Sequence, residues 1–453
     1  MPRQRHCQPC SMRSTPLEPQ ICSSPRLGVS ECASWPRQVN QQQRLGARRY
    51  RCMMLSVART TGHGRVNLGG AVAFVVPDFE PLVGGTSRQV GYMARGLAAR
   101  GHQVIVVTRR PERWLPRKEV LGGLPVIRLG PAGRGAAADK AALLATACWL
   151  VRHRRSLAVV QILMQADLAS AARLAGVVDR TCVTWAGLGD ATDLLAPTTR
   201  GLLHRSQWRY RRAALAHVRH VALSAPIGEE LRGHGESVAA QIPVPVDLDD
   251  FRPPSPHERS IARAAVQATD DEFVIVYVGH LRALKAIDRL VAAFVRFVGE
   301  GRPGRLILVG GSRGSADDTE TQLRLQVRAA GVNDRVRFTG SVPDVRPLLW
   351  AADAFVLPSE REGMPNTLLE AMGCGVACVA PASAGGDVLL SGGAGLVPRS
   401  NDPSALFEAL VALADDVDLG RTLVAAALGR VGEFSVEHVI DQYEHLYCQA
   451  TPR

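Results

Sequence analysis

Glu362 and Glu370 stand eight positions apart in Ser359–Gly375, SEREGMPNTLLEAMGCG, where a polar turn leads into an apolar helix. A carboxylate at the mouth of a buried segment is costly unless it is paired or hydrogen-bonded. Two readings account for the pair. Thr367-Leu-Leu-Glu370 has the spacing of a capping box, with Thr367 at N-cap and Glu370 at N3. Glu362 is then a solvated loop residue. Alternatively, both carboxylates accept hydrogen bonds from the hydroxyls of a ligand docked at the helix N-terminus. Gly363, Met364, Pro365 and Asn366 form the tight turn between them. A sugar hydroxyl is neutral and offers a donor, so a carboxylate suits it, whereas a diphosphate needs cations and N–H groups.

Such cations stand in VYVGHLRALKAIDRLVAAF, 276–294. Gly279 ends a strand, His280 follows, Arg282 and Lys285 come within six residues, and a helix begins. Two cations beside a helix N-terminus form a diphosphate cradle; the bland reading is a solvated basic face. A third stretch, Gly84-Gly85, lies between the first strand and a helix, where glycines let backbone N–H groups approach a phosphate. It lacks the G-x-G-x-x-G fingerprint, and no acidic residue ends the second strand, so NAD binding is not expected.

The elements that position these residues read as alternating strands and helices. AVAFVV (71–76), QVIVVT (103–108), PVIRL (125–129), LAVVQIL (157–163), TCVTW (181–185), HVALS (220–224) and AAQIP (239–243) are strand candidates. Helical stretches follow at about 86–100, 139–153, 167–176, 201–216 and 225–234. Continuous apolar runs of this length suit parallel strands buried on both faces. The Pro- and Asp-rich segment 244–260 reads as a linker. The pattern then restarts with FVIVYVG (273–279), LILVGG (306–311), VRFTG (336–340), AFVLPS (354–359) and VACVAP (376–381). Helices are expected at about 286–299, 318–330, 343–351, 366–373 and 402–416. The expected organisation is a first Rossmann-like domain over 69–245, a linker at 246–260, a second over 261–433, and a closing amphipathic helix at 434–453 that returns to the first domain. This is an α/β fold of two doubly wound domains facing across a cleft.

The 453 residues carry a net charge of +12, but residues 1–68 hold eleven Arg against two Glu, so only +3 belongs to the rest. The body is not basic enough to suggest nucleic acid as a partner. The Arg-, Ser-, Pro- and Gln-rich stretch 1–68 is expected to be a disordered tail or a gene-model extension, with Met53 or Met54 as the start. Cys7 and Cys10 have zinc-like spacing, yet no second ligand pair follows. Cys148, Cys182, Cys374, Cys378 and Cys448 read as reduced core residues of a cytoplasmic protein. Asp247-Leu-Asp249 has a D-x-D appearance but falls in the linker, where turn-forming Asp is the simpler reading.

On PDFEPLVGGTSRQVGYMARGLAARGHQVIVVT, IPVPVDLDDFRP, VGHLRALKAIDRLVAAF, RVRFTGSVPDVRPLLWAADAFVLPS and SEREGMPNTLLEAMGCGVACVAP, the chain resembles the retaining, GT-B-fold glycosyltransferases of family four over roughly residues 71–450. The resemblance implies a nucleotide-diphosphate sugar donor, UDP-linked, and a glycan or lipid-linked acceptor. It implies Glu362 as the catalytic carboxylate and Gly363, Met364, Pro365 and Asn366 as donor-sugar contacts. Glu370 would hold the ribose; Lys285, Arg282, Gly279 and His280 would bind the nucleotide diphosphate. Gly84 and Gly85 would serve the phosphate and acceptor side. Fixed cations would replace a metal, so neither a metal nor a cofactor is expected. The chain departs from the family at His280, where Arg is usual, and at Ala286, where Gly is usual. It departs again at Gln161 and Gln165, and at Trp185-Ala186-Gly187, where histidines are common. A GT-B-shaped sugar-nucleotide epimerase or a non-catalytic binding homologue are the competing readings; an epimerase needs acid/base residues in the cleft. Members with lipid-linked acceptors often dock on membranes. HRSQWRYRRAALAHVRH (204–220) interleaves Arg205, Arg209, Arg211, Arg212 and Arg219 with Trp208 and Tyr210, which reads either as a surface helix with solvated arginines packed by Leu215 and Val218 or as a peripheral membrane contact through 204–216.

Overall fold

The computed structural model describes residues 68–450 apart from 83, 164, 196–201 and 312–317. The basic N-terminal stretch, with Cys7, Cys10, Met53 and Met54, lies outside the described residues. The chain forms two Rossmann-like domains, each built on one sheet. The first sheet contains β1 (Ala71–Val76), β2 (Val104–Arg109), β3 (Lys118–Leu121), β4 (Leu124–Leu129), β5 (Leu157–Leu163), β6 (Thr181–Trp185), β7 (Arg219–Ala222) and β8 (Val238–Gln241). Their order is β3-β4-β2-β1-β5-β6-β7-β8. The second contains β9 (Phe273–Val278), β10 (Gly304–Val309), β11 (Val336–Gly340), β12 (Ala354–Val356) and β13 (Ala377–Val379), in the order β11-β10-β9-β12-β13.

Every strand pair is parallel except β3 with β4. Residues of β1 and β5 are buried throughout, which is why their sequences show no polar alternation. In each sheet the chain starts on a central strand, builds outward on one side and then returns to the other. The reversals lie at β1/β5 and β9/β12, and a doubly wound sheet binds its ligands beside such a reversal, at the strand C-termini. The loops after β1 and β9 carry Gly84-Gly85 and Gly279–Lys285.

Several elements lie beyond the expected set, short helices at Asp190–Leu195 and Gly386–Leu389 among them. Strand β3 pairs with β4 through a two-residue turn in which Gly122 and Gly123 both have positive φ, 55° and 85°. That geometry matches the right-handed strand twist and favours glycine at both positions. The segment 244–260 is free of helix only as far as Ser255. A helix, Pro256–Ala265, starts there because Ser255 and Glu258 form a reciprocal capping box. A helix at Val417–Val431 is capped by Asp416, whose side chain accepts from the Leu419 N–H. The body cysteines also divide. Cys182, Cys374 and Cys378 are buried, whereas Cys148 and Cys448 are exposed on the outer faces of their helices.

The last helix, Val436–Ala450, lies on the first domain and on the helix Gly85–Ala99 that follows β1. Its Val439, Ile440, Tyr443, Leu446 and Tyr447 join Val72, Val159 and Cys182 in one apolar cluster. The buried polar atoms there are satisfied in a chain. Tyr447 Oη donates to Gln161 Oε1 at 3.0 Å, and Gln161 Nε2 donates to Thr184 Oγ1 at 2.9 Å. Tyr447→Phe strands that Gln161 oxygen in an apolar surrounding. A loss of about 1–3 kcal/mol is expected in denaturant unfolding, whereas an unchanged midpoint would show that the hydroxyl contributes nothing.

Candidate functional site

A cleft of about 830 Å³ is lined by residues of both domains, and a volume of this size suits a nucleotide-sized ligand. All twelve residues singled out in the sequence line it: Gly84 and Gly85 on one side, Gly279, His280, Arg282 and Lys285 at the end of β9, and Glu362 to Asn366 with Glu370 after β12.

On the second domain, Tyr277 is fully buried in β9, and its hydroxyl donates to the His280 carbonyl at 3.0 Å, steadying the loop. The chain then makes a short turn at Ala283–Lys285, and Ala286 takes φ 47°, ψ 40° before helix Ile287–Gly299. This left-handed geometry explains why a glycine suits the position; alanine there costs roughly 1–2 kcal/mol. The turn delivers Lys285, whose Nζ lies 2.5 Å from Glu362 Oε1. Glu362 is not the solvated loop residue of the bland reading. Its side chain is 14% exposed, and its backbone N–H donates to the Ser383 carbonyl at 3.0 Å.

The capping-box reading of Thr367 and Glu370 is overturned. Helix Asn366–Gly373 starts two residues earlier, with Pro365 at N-cap and no side-chain cap. Glu370 is therefore the fifth helical residue and points inward, 3% exposed. Its Oε1 accepts from Arg88 of the first domain, while its Oε2 is buried with no hydrogen-bond partner among the described residues. Burial pushes the Glu370 carboxyl up, and the Arg88 guanidinium works against that shift.

Other contacts join the domains at the same place. Asn366 Nδ2 donates to the Gly85 carbonyl at 3.2 Å, and the Val244 N–H points at Met364 Sδ at 3.2 Å. Arg88, Gln89, Asp190 and Arg361 line the cleft as well and do not stand out in the sequence. A signal for Arg88 exists all the same. A cation in the first turn of a helix opposes the helix dipole and calls for an anionic partner.

Of the positions where histidines are common, Gln161 and Trp185 face away from the cleft. Gln161 serves the C-terminal helix, and Trp185 Nε1 donates to His220 Nδ1 at 2.9 Å. Asp247 Oδ1 accepts from the N–H groups of Asp249 and Asp250, at 3.1 and 3.2 Å, which is a turn and agrees with the simpler reading of the D-x-D stretch. Among the described residues no group of three or more His, Cys, Asp or Glu is placed to hold a metal ion.

The basic segment 204–216 lies away from the cleft, and much of its charge is engaged within the protein. Arg211 pairs with Asp167 at 2.7 Å. Arg212 donates to the His234 carbonyl at 2.8 Å, and Arg219 to the Asp179 and Gln449 carbonyls. Trp208 Nε1 donates to the Leu195 carbonyl. Arg205, Arg209 and Tyr210 are the exposed members. Among the described residues no helix is long and apolar enough to cross a membrane.

Likeness to known proteins extends over both domains. The family described as Glycosyl transferases group 1 matches residues 272–416, and the Glycosyl transferase 4-like domain matches residues 84–247. The D-inositol 3-phosphate glycosyltransferase of Actinosynnema mirum is 34% identical over 220 residues, covering 46% of this chain and 51% of that one. The chain spans about half the length of the curated relatives it matches. Among solved structures, sucrose-phosphate synthase from Thermosynechococcus elongatus superposes with a TM-score of 0.68 at 23% identity, over 84% of this chain and 98% of that one. HepE of Anabaena in complex with UDP superposes with a TM-score of 0.67 at 17% identity, over 84% of this chain and all of the other. These likenesses are to the GT-B fold.

Proposed function

The chain belongs to the glycosyl transferases group 1 family, and on that premise we propose that it transfers a sugar, with retention of anomeric configuration, from a UDP-sugar to a glycan or lipid-linked acceptor. The observation that carries the reading is the contact of Lys285 Nζ with Glu362 Oε1. It sets a diphosphate-seeking cation beside a hydroxyl-seeking carboxylate at one point of the cleft, which is where the bond between sugar and diphosphate would lie.

In this reading Glu362 accepts hydrogen bonds from donor-sugar hydroxyls, and Gly363 to Asn366 seat the sugar face. Lys285 and Arg282, with the loop Gly279-His280, bind the diphosphate and stabilise charge as it leaves. Gly84 and Gly85 approach the phosphate and acceptor side. The departing phosphate oxygen takes the acceptor's proton, so no protein nucleophile is used, and fixed cations do the work a metal would otherwise do. Glu370 Oε2 accepts from the ribose. UDP as the nucleotide is supported by the family resemblance and by the UDP in complex with HepE of Anabaena, a neighbour of the same fold.

Turnover of UDP-sugars by the purified protein tests this, with and without acceptor and with EDTA present. Transfer that needs acceptor and survives EDTA is expected. Interconversion of the sugar nucleotide without acceptor would make the protein an epimerase, and nucleotide binding with no turnover would leave it a binding homologue. For cytoplasmic docking at a membrane, the exposed Arg205, Arg209 and Tyr210 supply the contact. Arg205→Glu/Arg209→Glu is expected to weaken the affinity for anionic vesicles about thirtyfold, at about 1 kcal/mol per basic residue. Equal sedimentation of both proteins would remove the membrane from the proposal.

A further inference from the structure

We infer that Arg88, carried by the first domain, is a positioning residue for the ribose-binding carboxylate of the second, so that closing the cleft and holding the nucleotide are one event. The inference rests on reading Glu370 as the ribose contact. Arg88 and Glu370 are 282 residues apart in sequence, yet Arg88 Nη1 donates to Glu370 Oε1 across the cleft.

Glu370 is 3% exposed on a helix whose neighbouring positions Leu368, Leu369, Ala371 and Met372 are buried. A charge in such a place needs a partner, and without one it tends to take up a proton and lose half its acceptor capacity. The second domain, left to itself, provides no cation in contact with this carboxylate among the described residues. Arg88 provides one only when the domains are together. Two neighbouring contacts hold the two walls in that relation, Asn366 Nδ2 with the Gly85 carbonyl and Met364 Sδ with the Val244 N–H, while the Phe251 ring of the linker has its centroid 5.9 Å from the Arg88 guanidinium carbon.

A rival possibility is that Arg88 blocks the carboxylate and must leave before ribose binds. The geometry argues otherwise. Only Oε1 is engaged, and the buried Oε2 has no partner among the described residues. Glu370 lines the cleft, and a hydroxyl that reaches Oε2 can donate to it while Arg88 stays on Oε1. Arg88 then fixes the orientation of the carboxylate and keeps it an acceptor, and ribose completes its hydrogen bonding. Each event favours the other, as reciprocal coupling requires.

Calorimetry with UDP alone as the probe tests this independently of turnover, using the full chain and the variants Arg88→Met, Arg88→Lys, Glu370→Gln and Arg88→Met/Glu370→Gln. A coupling of this kind is typically 5–150-fold, so about tenfold weaker UDP binding is expected for Arg88→Met. Arg88→Lys should recover part of the loss, and it keeps the test open if the methionine variant folds poorly. The double variant should bind no more weakly than Glu370→Gln, because the two residues act through one carboxylate. Native-like or tighter UDP binding by Arg88→Met, or additive losses in the double variant, would overturn the inference while leaving the glycosyltransferase reading intact. Native protein that binds none of UDP, GDP or ADP would overturn both.

Discussion

Glu362→Gln is expected to lower kcat by about 10²–10³-fold, the usual cost of removing one electrostatic contact that matters most in the transition state. Glutamine preserves the shape of the side chain and removes its charge. Two consequences follow from the geometry. On the proposed function sugar hydroxyls lose their strongest acceptor, and Lys285 loses the anion 2.5 Å away that holds its ammonium in place. Lys285 is then free to turn toward the diphosphate, so KM for the donor should stay level or fall while kcat drops. That split separates a transition-state contact from simple loss of binding. Stability should change little, by about 1 kcal/mol or less, because the pair is partly exposed and sits on a turn. Near-native kcat in the variant would remove Glu362 from the site.

Gly363→Ala is expected to cost about 10² in kcat/KM by a different route, since a displacement of about 1 Å at a reacting centre has that effect. A Cβ at residue 363 would stand 1.7 Å from the Ala186 carbonyl oxygen and 2.8 Å from its carbon. Ala186 belongs to the first domain, just after β6, so the methyl group meets backbone and cannot be relieved by a rotamer change. The turn from Glu362 to Asn366 must withdraw, or the domains must part. Either movement disturbs the proposed donor-sugar contacts and the Arg88–Glu370 pair together. The melting temperature should move little, since the turn lines the cleft and lies outside both sheets. Gly429→Ala sets the baseline, because an added methyl there meets nothing within 4 Å. Equal activity of the two variants would show that the close approach at Gly363 is not needed for turnover.

Much of the site is legible in the sequence because its chemistry sits on glycine-punctuated loops that follow apolar strands. Gly84-Gly85, the run from Gly279 to Lys285, and the turn Glu362–Asn366 each announce a strand end beside a helix start. Other local signals are present but faint against their surroundings. Ser255 and Glu258 have capping-box spacing inside an apparent linker, and Gly122-Gly123 marks a hairpin. Strand β3 is hidden by its short, half-exposed sequence KEVL, which carries too little apolar content to stand out.

By itself the sequence determined the two doubly wound sheets and the strand ends that bear the site. A parallel strand covered on both faces has no solvent side, so its apolar run is continuous and readable without partners. Only the tertiary structure decided which charges meet. Arg88 reaches Glu370 across 282 residues, Lys285 reaches Glu362 across 77, and Tyr447 reaches Gln161 across 286. The failure of the capping-box reading has the same origin. Thr367 and Glu370 have the right spacing, but Pro365 starts the helix two residues early and turns Glu370 inward, toward a guanidinium on the other domain. Spacing within a helix specifies neighbours three or four residues away, whereas a pair across a cleft depends on how two separately folded surfaces come together, which no local periodicity encodes.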